Sequence, residues 1–188
     1  GEKCMVLIKG SEVSLRVVEY RDLEYIYQMV NNIDSIGEYD VIQLTSWGEV
    51  EKWFKTPISS EDFVILVIER NIDKKILGFV AYYTVHPFLK LLEIGYQIFS
   101  KEDRGKGYAT EAVNLLLKFL FTSKNVERIQ ATTHVENVSS QKVLENNGFI
   151  REGELRCSLY RNGKYHNTYI YSILRRDWEK LCQENQLE

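Results

Sequence analysis

Apolar and polar positions alternate in some stretches of the chain and recur at helical spacing in others. The alternation over residues 12–17 predicts a first strand. Asp22 then occupies an N-cap position before apolar residues spaced three or four apart, which predicts a first helix. A second helix is expected from Ser46, because Glu49 follows at the capping-box spacing, and Pro57 should end it. The chain is thus expected to open as a strand followed by two helices.

The middle of the chain has a different pattern. Residues 63–70 and 75–85 are rich in β-branched and aromatic residues and are separated by a short polar segment, so they are expected to pair as an antiparallel hairpin. A third such run at residues 91–99 leads into a polar, glycine-containing loop at 100–107. A long helical pattern follows through Thr110–Phe121. The unit predicted here is a strand, a glycine loop and a helix.

The remaining chain continues to mix the two periodicities. The expected strands lie at residues 128–135, 149–151, 155–160 and 164–174, and the expected helices at 138–147 and 177–183. Gly148 has the place of a left-handed residue after a helix, and Asn162-Gly163 is a strong hairpin-turn signal. Because no repeat or linker interrupts this order, we expect one α+β domain over residues 1–188, with a mixed, mostly antiparallel sheet flanked by helices.

The composition narrows the class of protein. The 188 residues are 44% hydrophobic and 27% charged, with a formal net charge of −3. A chain of this size can bury one sizeable core, and its acidic balance gives no overall basic field for nucleic acid. The apolar runs are far shorter than the roughly 20 residues that cross a bilayer. We therefore expect neither a nucleic-acid partner nor a membrane partner.

The cysteines and histidines show no pattern typical of disulfide bonds or of a metal centre. Cys4, Cys157 and Cys182 are odd in number and contain no CxxC pair, which favours reduced thiols over disulfides. The three histidines have no ligand spacing, so no metal is expected. The N-terminal stretch has no signal-peptide h-region. Together these features predict a cytoplasmic protein.

The glycine loop is a candidate anion site. Backbone N–H groups and the positive end of a helix dipole converge where a strand turns into a helix, and a pyrophosphate would suit such a position. Gly105 and Gly107 allow close backbone approach, while Arg104 and Lys106 add positive charge. A dinucleotide fingerprint would need a third glycine at Thr110, and a Walker loop would need Gly-Lys-Ser/Thr. Without these, the loop is either an anion site of another kind or an ordinary strand-to-helix turn.

Two motifs resemble those of a known family. Residues 93–112 resemble motif A of the GNAT acetyltransferases, whose loop of the form Arg/Gln-x-x-Gly-x-Gly/Ala matches Arg104, Gly107 and Ala109. Residues 137–156 are similar to the next motif in its version from Rim-type ribosomal-protein N-terminal acetyltransferases, with Asn137 and Ser140 as Asn-x-x-Ser. The resemblance covers residues 13–178 and implies a single N-acetyltransferase domain that uses acetyl-CoA as co-substrate.

The resemblance also implies where acetyl-CoA binds. In the family, the strand before the loop splays from its neighbour, and its free backbone groups bind pantetheine and polarise the thioester carbonyl. Carried over to this sequence, the cofactor-binding residues are Gln97, Ile98, Phe99, Arg104, Gly105, Lys106, Gly107, Tyr108, Ala109, Thr110, Asn137 and Ser140.

The same resemblance assigns two catalytic residues. Glu93 lies eleven residues before Arg104, where related enzymes carry a general base, although water could be the base and Glu93 could merely bond its neighbours. Ser140 would protonate the leaving thiolate, since the tyrosine that many family members carry four residues later is Leu144 here; water is the alternative acid. Asn137 could equally act as a helix cap for the Ser140 amide.

The acceptor is the least determined part of the reaction. The Rim-type motif favours a protein N-terminal α-amine. A small amine such as a polyamine, an aminoglycoside or an amino acid is the alternative enzyme substrate, and a non-catalytic acyl-CoA-binding domain is the alternative of another class. The protein could be a monomer or a homodimer.

Overall fold

Eight strands form one sheet in the computed structural model, which describes residues 6–55, 63–86, 88–89 and 91–184. The strands are β1 (Val6–Lys9), β2 (Val13–Val17), β3 (Val64–Arg70), β4 (Ile76–His86), β5 (Leu91–Ile98), β6 (Arg128–His134), β7 (Ile150–Arg161) and β8 (Lys164–Leu174). Their order is β1-β2-β3-β4-β5-β6-β8-β7, and only the β5–β6 pair is parallel. This is the mixed, mostly antiparallel sheet that the sequence predicts.

In the described part of the chain, five α-helices cover the two faces of the sheet. They are α1 (Leu23–Asn31), α2 (Trp47–Lys55), α3 (Tyr108–Ser123), α4 (Val138–Asn146) and α5 (Arg175–Glu184). Alternation along β3 separates the faces, because Leu66 and Ile68 join the larger core with α3 while Val67 joins a smaller one with α1 and α2. None of the described helices is long and apolar enough to span a membrane.

The first two helices begin where the sequence predicts, with one difference in chemistry. Asp22 precedes α1, but its carboxylate accepts from the buried guanidinium of Arg16 at 2.6 and 2.9 Å instead of capping the helix. Arg16 also bonds Glu69 at 2.6 Å. At α2, Ser46 and Glu49 exchange the expected capping-box hydrogen bonds. Pro57, predicted to end α2, lies outside the described residues, as does Cys4.

The structure differs from the sequence prediction at both edges of the sheet. β1 is an additional strand, and β7 is one continuous strand where two short ones are expected. The register of β7 against β8 shifts between Arg151 and Gly153 and again between Leu155 and Leu159, around Cys157 with its φ of 51°. These irregularities break the alternation that would have revealed a single strand. The hairpin at Asn162-Gly163 is confirmed, with φ angles of 50° and 77°.

Candidate active site

A V-shaped gap opens in the sheet between β5 and β6. The two strands pair from Leu91↔Arg128 to Glu93↔Gln130, and no further pair joins them among the described residues. Beyond Glu93, β5 follows β4 as far as Ile98, while β6 follows β8. Backbone groups on the facing sides of the two strands are therefore left without a strand partner, which is the splay that the family resemblance implies.

Alternation of the backbone decides which residues face the gap. The Phe99 N–H donates to the Leu77 carbonyl at 2.9 Å, so the backbone groups of Phe99, and of Gln97 two residues earlier, are directed to β4. The backbone groups of Tyr96 and Ile98 are consequently directed towards β6. Of the three residues expected to present backbone groups here, Ile98 has the expected direction, whereas Gln97 and Phe99 do not.

The glycine loop leads directly from this gap into α3. Gly105 and Gly107 have φ angles of 73° and 85°, a left-handed conformation that glycine adopts without strain. A Cβ added at either position would meet no described atom within 4 Å. Tyr108 begins α3, so its N–H and those of the next residues lie in the first turn, where a helix provides unpaired donors. The loop thus offers open space in front of a helix N-terminus, as an anion site requires.

Buried charge holds the start of this loop in place. Asp103 is 3% exposed and ends a short 3₁₀ turn. Its carboxylate accepts from Lys75 Nζ at 2.7 Å and from Arg70 Nη1 at 3.4 Å. The hydrogen bond to Asp103 raises the pKa of Lys75 despite partial burial of the ammonium. The β3–β4 hairpin therefore fixes the point from which the loop departs.

The Arg104 side chain, predicted to bind the cofactor, is bonded to three backbone carbonyls. Its Nε donates to the Ile98 carbonyl at 2.9 Å, and its Nη2 donates to the carbonyls of Ser35 and Phe99 at 2.7 and 3.2 Å. The Gln97 amide donates to the same Ser35 carbonyl at 3.3 Å. The guanidinium therefore ties the α1–α2 connection to the end of β5 instead of standing beside the loop, where only the exposed Lys106 keeps the expected position.

Glu93 occupies the base of the gap. Its carboxylate accepts from the Gln130 amide at 2.9 Å and from the Thr132 hydroxyl at 3.2 Å. Tyr83 also bonds this carboxylate, and burial, with the charge of Glu93, raises the pKa of Tyr83. On the same face, an added Cβ on Gly95 would meet no described atom within 4 Å. Glu93 thus forms hydrogen bonds with its neighbours, which was the alternative to a role as general base, and it also borders open space.

Ser140 lies at the start of α4, on the other side of β5. The Asn137 side chain accepts from the Ser140 N–H at 3.1 Å, so Asn137 is the N-cap that the sequence left as an alternative. The Tyr96 hydroxyl lies 2.9 Å from Ser140 Oγ and donates to the Ser140 carbonyl at 3.1 Å. Leu144, which stands where many relatives have a tyrosine, is fully buried. Tyr96 thus brings a phenol to Ser140 from a strand, which the motifs do not indicate.

Comparison with known proteins settles the family. The Acetyltransferase (GNAT) domain family matches residues 12–150. The chain belongs to this family. The ribosomal N-acetyltransferase-like protein YdaF of Bacillus subtilis is 36% identical over 107 residues, which are 57% of this chain and 58% of YdaF. The spermidine N(1)-acetyltransferase of Vibrio cholerae is 27% identical over 166 residues, 88% of this chain and 95% of that enzyme.

A solved GNAT structure has the same architecture. The spermidine N-acetyltransferase from Vibrio cholerae, in complex with CoA and spermine, superposes with a TM-score of 0.79 at 27% identity, over 90% of this chain and 99% of that one. The family assignment made from two motifs and the predicted GNAT fold are both confirmed. The protein is an acetyl-CoA-dependent N-acetyltransferase.

The far end of this GNAT enzyme's gap carries positive charge. His134 ends β6 on the same face as Gln130 and Thr132, and its ring lies 4.8 Å from the ring of His166, centre to centre. Burial lowers the pKa of His134, and neighbouring cations lower it further. The groups that act on His134 by charge are His166, Arg161 and Lys164, which oppose protonation, and Glu136, which favours it. Arg161 and Lys164 thus place two positive charges near this ring against the one carboxylate of Glu136.

Proposed function

We propose that this enzyme holds acetyl-CoA across the gap and the glycine loop and transfers the acetyl group to a protein N-terminal α-amine. The gap-facing backbone of Tyr96 and the N–H of Ile98 suit the pantetheine arm, while the Ile98 carbonyl is bonded to Arg104. The open N-terminus of α3 suits the pyrophosphate. The residues proposed to bind the pyrophosphate are Gly105, Lys106, Gly107, Tyr108, Ala109 and Thr110. The GNAT family match and the CoA complex of the Vibrio cholerae structure support this use of acetyl-CoA.

The positive charge around His134 is the observation that favours an α-amine over a polyamine. A polyamine carries several positive charges and requires an acidic surface, whereas a peptide N-terminus carries one. Near the gap, Arg161 and Lys164 act on His134 with the sign that repels a polycation. The similarity to YdaF over 107 residues agrees with this choice.

The reaction needs one base and one acid. An α-amine has an ordinary pKa of about 8, so roughly a tenth of it is neutral near pH 7, and Glu93, directly or through a water, accepts the proton of the ammonium form. The neutral nitrogen attacks the thioester carbon, the N–C bond forms, the C–S bond breaks, and the nitrogen releases one further proton to solvent. Ser140 then donates a proton to the departing sulfur. Asn137 serves this step by fixing the first turn of α4 through its bond to the Ser140 amide.

A small polycationic amine is the second candidate acceptor. The spermidine N(1)-acetyltransferase of Vibrio cholerae is similar along 95% of its length, which is the observation in favour of this candidate. Asp40 on the α1–α2 connection adds a negative charge that acts on Tyr96, and the ring of its neighbour Tyr39 lies 4.8 Å from that of His134. A polyamine would bind with one of its charged nitrogens near Asp40.

Thiol release from acetyl-CoA, followed with an acceptor panel, tests the proposal. The panel contains peptides with a free N-terminus, the same peptides with an acetylated N-terminus and an internal lysine, and spermidine, aminoglycosides and amino acids. We expect turnover with free N-termini and none with the blocked peptides. Turnover with spermidine alone would contradict the α-amine proposal but keep acetyl transfer. Tight CoA binding without turnover on any acceptor would contradict transferase function.

A further inference from the structure

The hydroxyl groups of Tyr96 and Ser140 form a pair that links β5 to α4. Their oxygens are 2.9 Å apart, and the phenol also reaches the Ser140 carbonyl at 3.1 Å. The Asn137 side chain binds the Ser140 N–H. Ser140 is therefore held at its amide, its carbonyl and its hydroxyl, and its Oγ has a partner that is itself an acid.

Serine by itself is a poor proton source for a departing thiolate. If Ser140 gave up its proton without replacement, an alkoxide would remain in a partly buried site, which is unfavourable. A phenol has an ordinary pKa of about 10, against about 8.5 for a thiol, and burial raises the pKa of Tyr96 above its ordinary value. The aromatic ring still delocalises the charge, so a phenolate is less costly than an alkoxide on the serine oxygen.

We propose that Tyr96 is a positioning residue for the transfer step: it orients Ser140 Oγ and replaces the proton that Ser140 donates to the CoA sulfur. This role rests on the proposed function. As the C–S bond breaks, the electron pair stays on sulfur and the serine proton moves to sulfur. The phenol O–H turns from the Ser140 carbonyl to Oγ, which lies 2.9 Å away, and its proton moves to Oγ. Solvent returns a proton to the phenolate, equal in number to the one that the acceptor nitrogen loses.

The surroundings of Tyr96 keep the phenol protonated before the transfer step. Burial raises the pKa of the phenol, the charges of Tyr171 and Asp40 act in the same direction, and the bond to Ser140 opposes them. The phenol therefore keeps its proton throughout the neutral range. Leu144, at the position where a tyrosine on α4 would serve the same step, is fully buried and has no proton to give.

Tyr96→Phe tests this role, with Tyr82→Phe as the matched control. Tyr82 is a fully buried tyrosine of β4 whose ring contacts Phe119 of α3, and it is not among the groups that shift the pKa of Tyr96. We expect Tyr96→Phe to lower kcat by about 10- to 100-fold with the KM for acetyl-CoA within about twofold. Tyr82→Phe should keep kcat within about twofold. The thermal midpoints of the two variants should be similar.

A double-mutant cycle distinguishes action through Ser140 from a structural effect. In a Ser140→Ala background, Tyr96→Phe should change kcat by less than about twofold, because the group it serves is already absent. An equal loss in both backgrounds, or an unchanged kcat in the single variant, would overturn the role of Tyr96 while leaving the acetyltransferase function intact. Absence of wild-type turnover on every acceptor would overturn both.

Discussion

Gly107 and Gly163 have nearly the same backbone conformation in different parts of the molecule. Their φ angles are 85° and 77°, and an added Cβ would meet no described atom within 4 Å at either position. A side chain therefore incurs the same left-handed conformational cost at both sites, about 1–2 kcal/mol. Only Gly107 borders the N-terminus of α3, whereas Gly163 lies in the tail hairpin. A comparison of variants at the two positions therefore distinguishes the effect of backbone strain from that of blocking a ligand.

Gly107→Leu should lose CoA binding, and Gly163→Leu should not. The leucine at position 107 would occupy the open space proposed for the pyrophosphate, so we expect the Kd for CoA to rise on the order of 100-fold or more. Titration calorimetry measures the affinity, and thermal unfolding checks that both variants lose similar stability. Unchanged CoA affinity in Gly107→Leu would remove the loop from the cofactor site.

Contacts within a few residues could be predicted from the sequence, and contacts across the chain could not. The Asn137 cap spans three residues, so the motif alone suggests it. The partner of Tyr96 is 44 residues away, and Ser35, the carbonyl that binds Arg104, is 69 residues away. Alternation in β5 assigns Tyr96 to a face, but only the packing of α4 on that face brings Ser140 to it.

At the scale of elements, strong local signals in the sequence correctly predict a turn and a helix start. Strands that depend on long-range pairing could not be predicted in the same way. The Asn162-Gly163 turn and the Ser46–Glu49 capping box carry residues that only one local conformation suits, and both are confirmed. β1 is short and exists through its pairing with β2, which the sequence around it does not encode. The irregular β7 likewise depends on β8 for its continuity.

β7 is the edge strand, and a charged group ties it to the rest of the sheet. Glu152 of β7 accepts two hydrogen bonds from Arg128 of β6, at 2.8 and 2.6 Å, across the intervening β8. Ser172 of β8 donates to the same carboxylate at 2.7 Å. The bonds from Arg128 first, and then from Ser172, lower the pKa of Glu152 from 4.5 to about 2. Three strands thus share one carboxylate.

Replacement of Glu152 by glutamine should cost stability in a pH-dependent way. A carboxyl group whose folded pKa is depressed stabilises the protein above its unfolded pKa of about 4.5, and this contribution is lost as pH falls towards about 2. Since the Glu152 and Arg128 side chains are 41% and 29% exposed, we expect no more than about 1 kcal/mol at neutral pH. Urea unfolding of the wild type and of Glu152→Gln, at pH values from about 3 to about 7, measures the difference in the free energy of unfolding.

The control for this prediction is a double-mutant cycle with Arg128→Gln. The coupling energy between the two positions should fall with the same pH dependence as the effect of Glu152→Gln. The difference in the free energy of unfolding between wild type and Glu152→Gln should shrink on acidification. If it stayed constant down to about pH 3, which is below the unfolded pKa, the ion pair could not be its source.

At the scale of the whole molecule, Arg104 connects the side of the site proposed for acetyl-CoA with the side proposed for the acceptor. It follows the strand proposed to hold the cofactor, and it binds the Ser35 carbonyl in the connection between α1 and α2, which covers the Glu93 face. The Gln97 amide and a ring contact between Tyr39 and His134 also attach that connection to the sheet, and local bonds such as the Thr45 N–H to the Asn31 side chain hold it internally. A single guanidinium with bonds to three carbonyls thus couples the cofactor loop to the acceptor side.

Arg104→Lys should loosen the acceptor side while sparing the cofactor. Lysine keeps the charge, but its single nitrogen cannot reach the carbonyls of Ile98 and Ser35 together as the planar fork does. We expect faster hydrogen exchange in residues 32–46 and a higher acceptor KM, with CoA affinity within about threefold. Arg176→Lys, at an arginine whose side chain is 78% exposed on α5, is the matched control and should change none of these. If Arg104 instead bound the pyrophosphate, the lysine variant would lose CoA affinity while exchange in residues 32–46 stayed the same, which would reverse the assignment of its side chain.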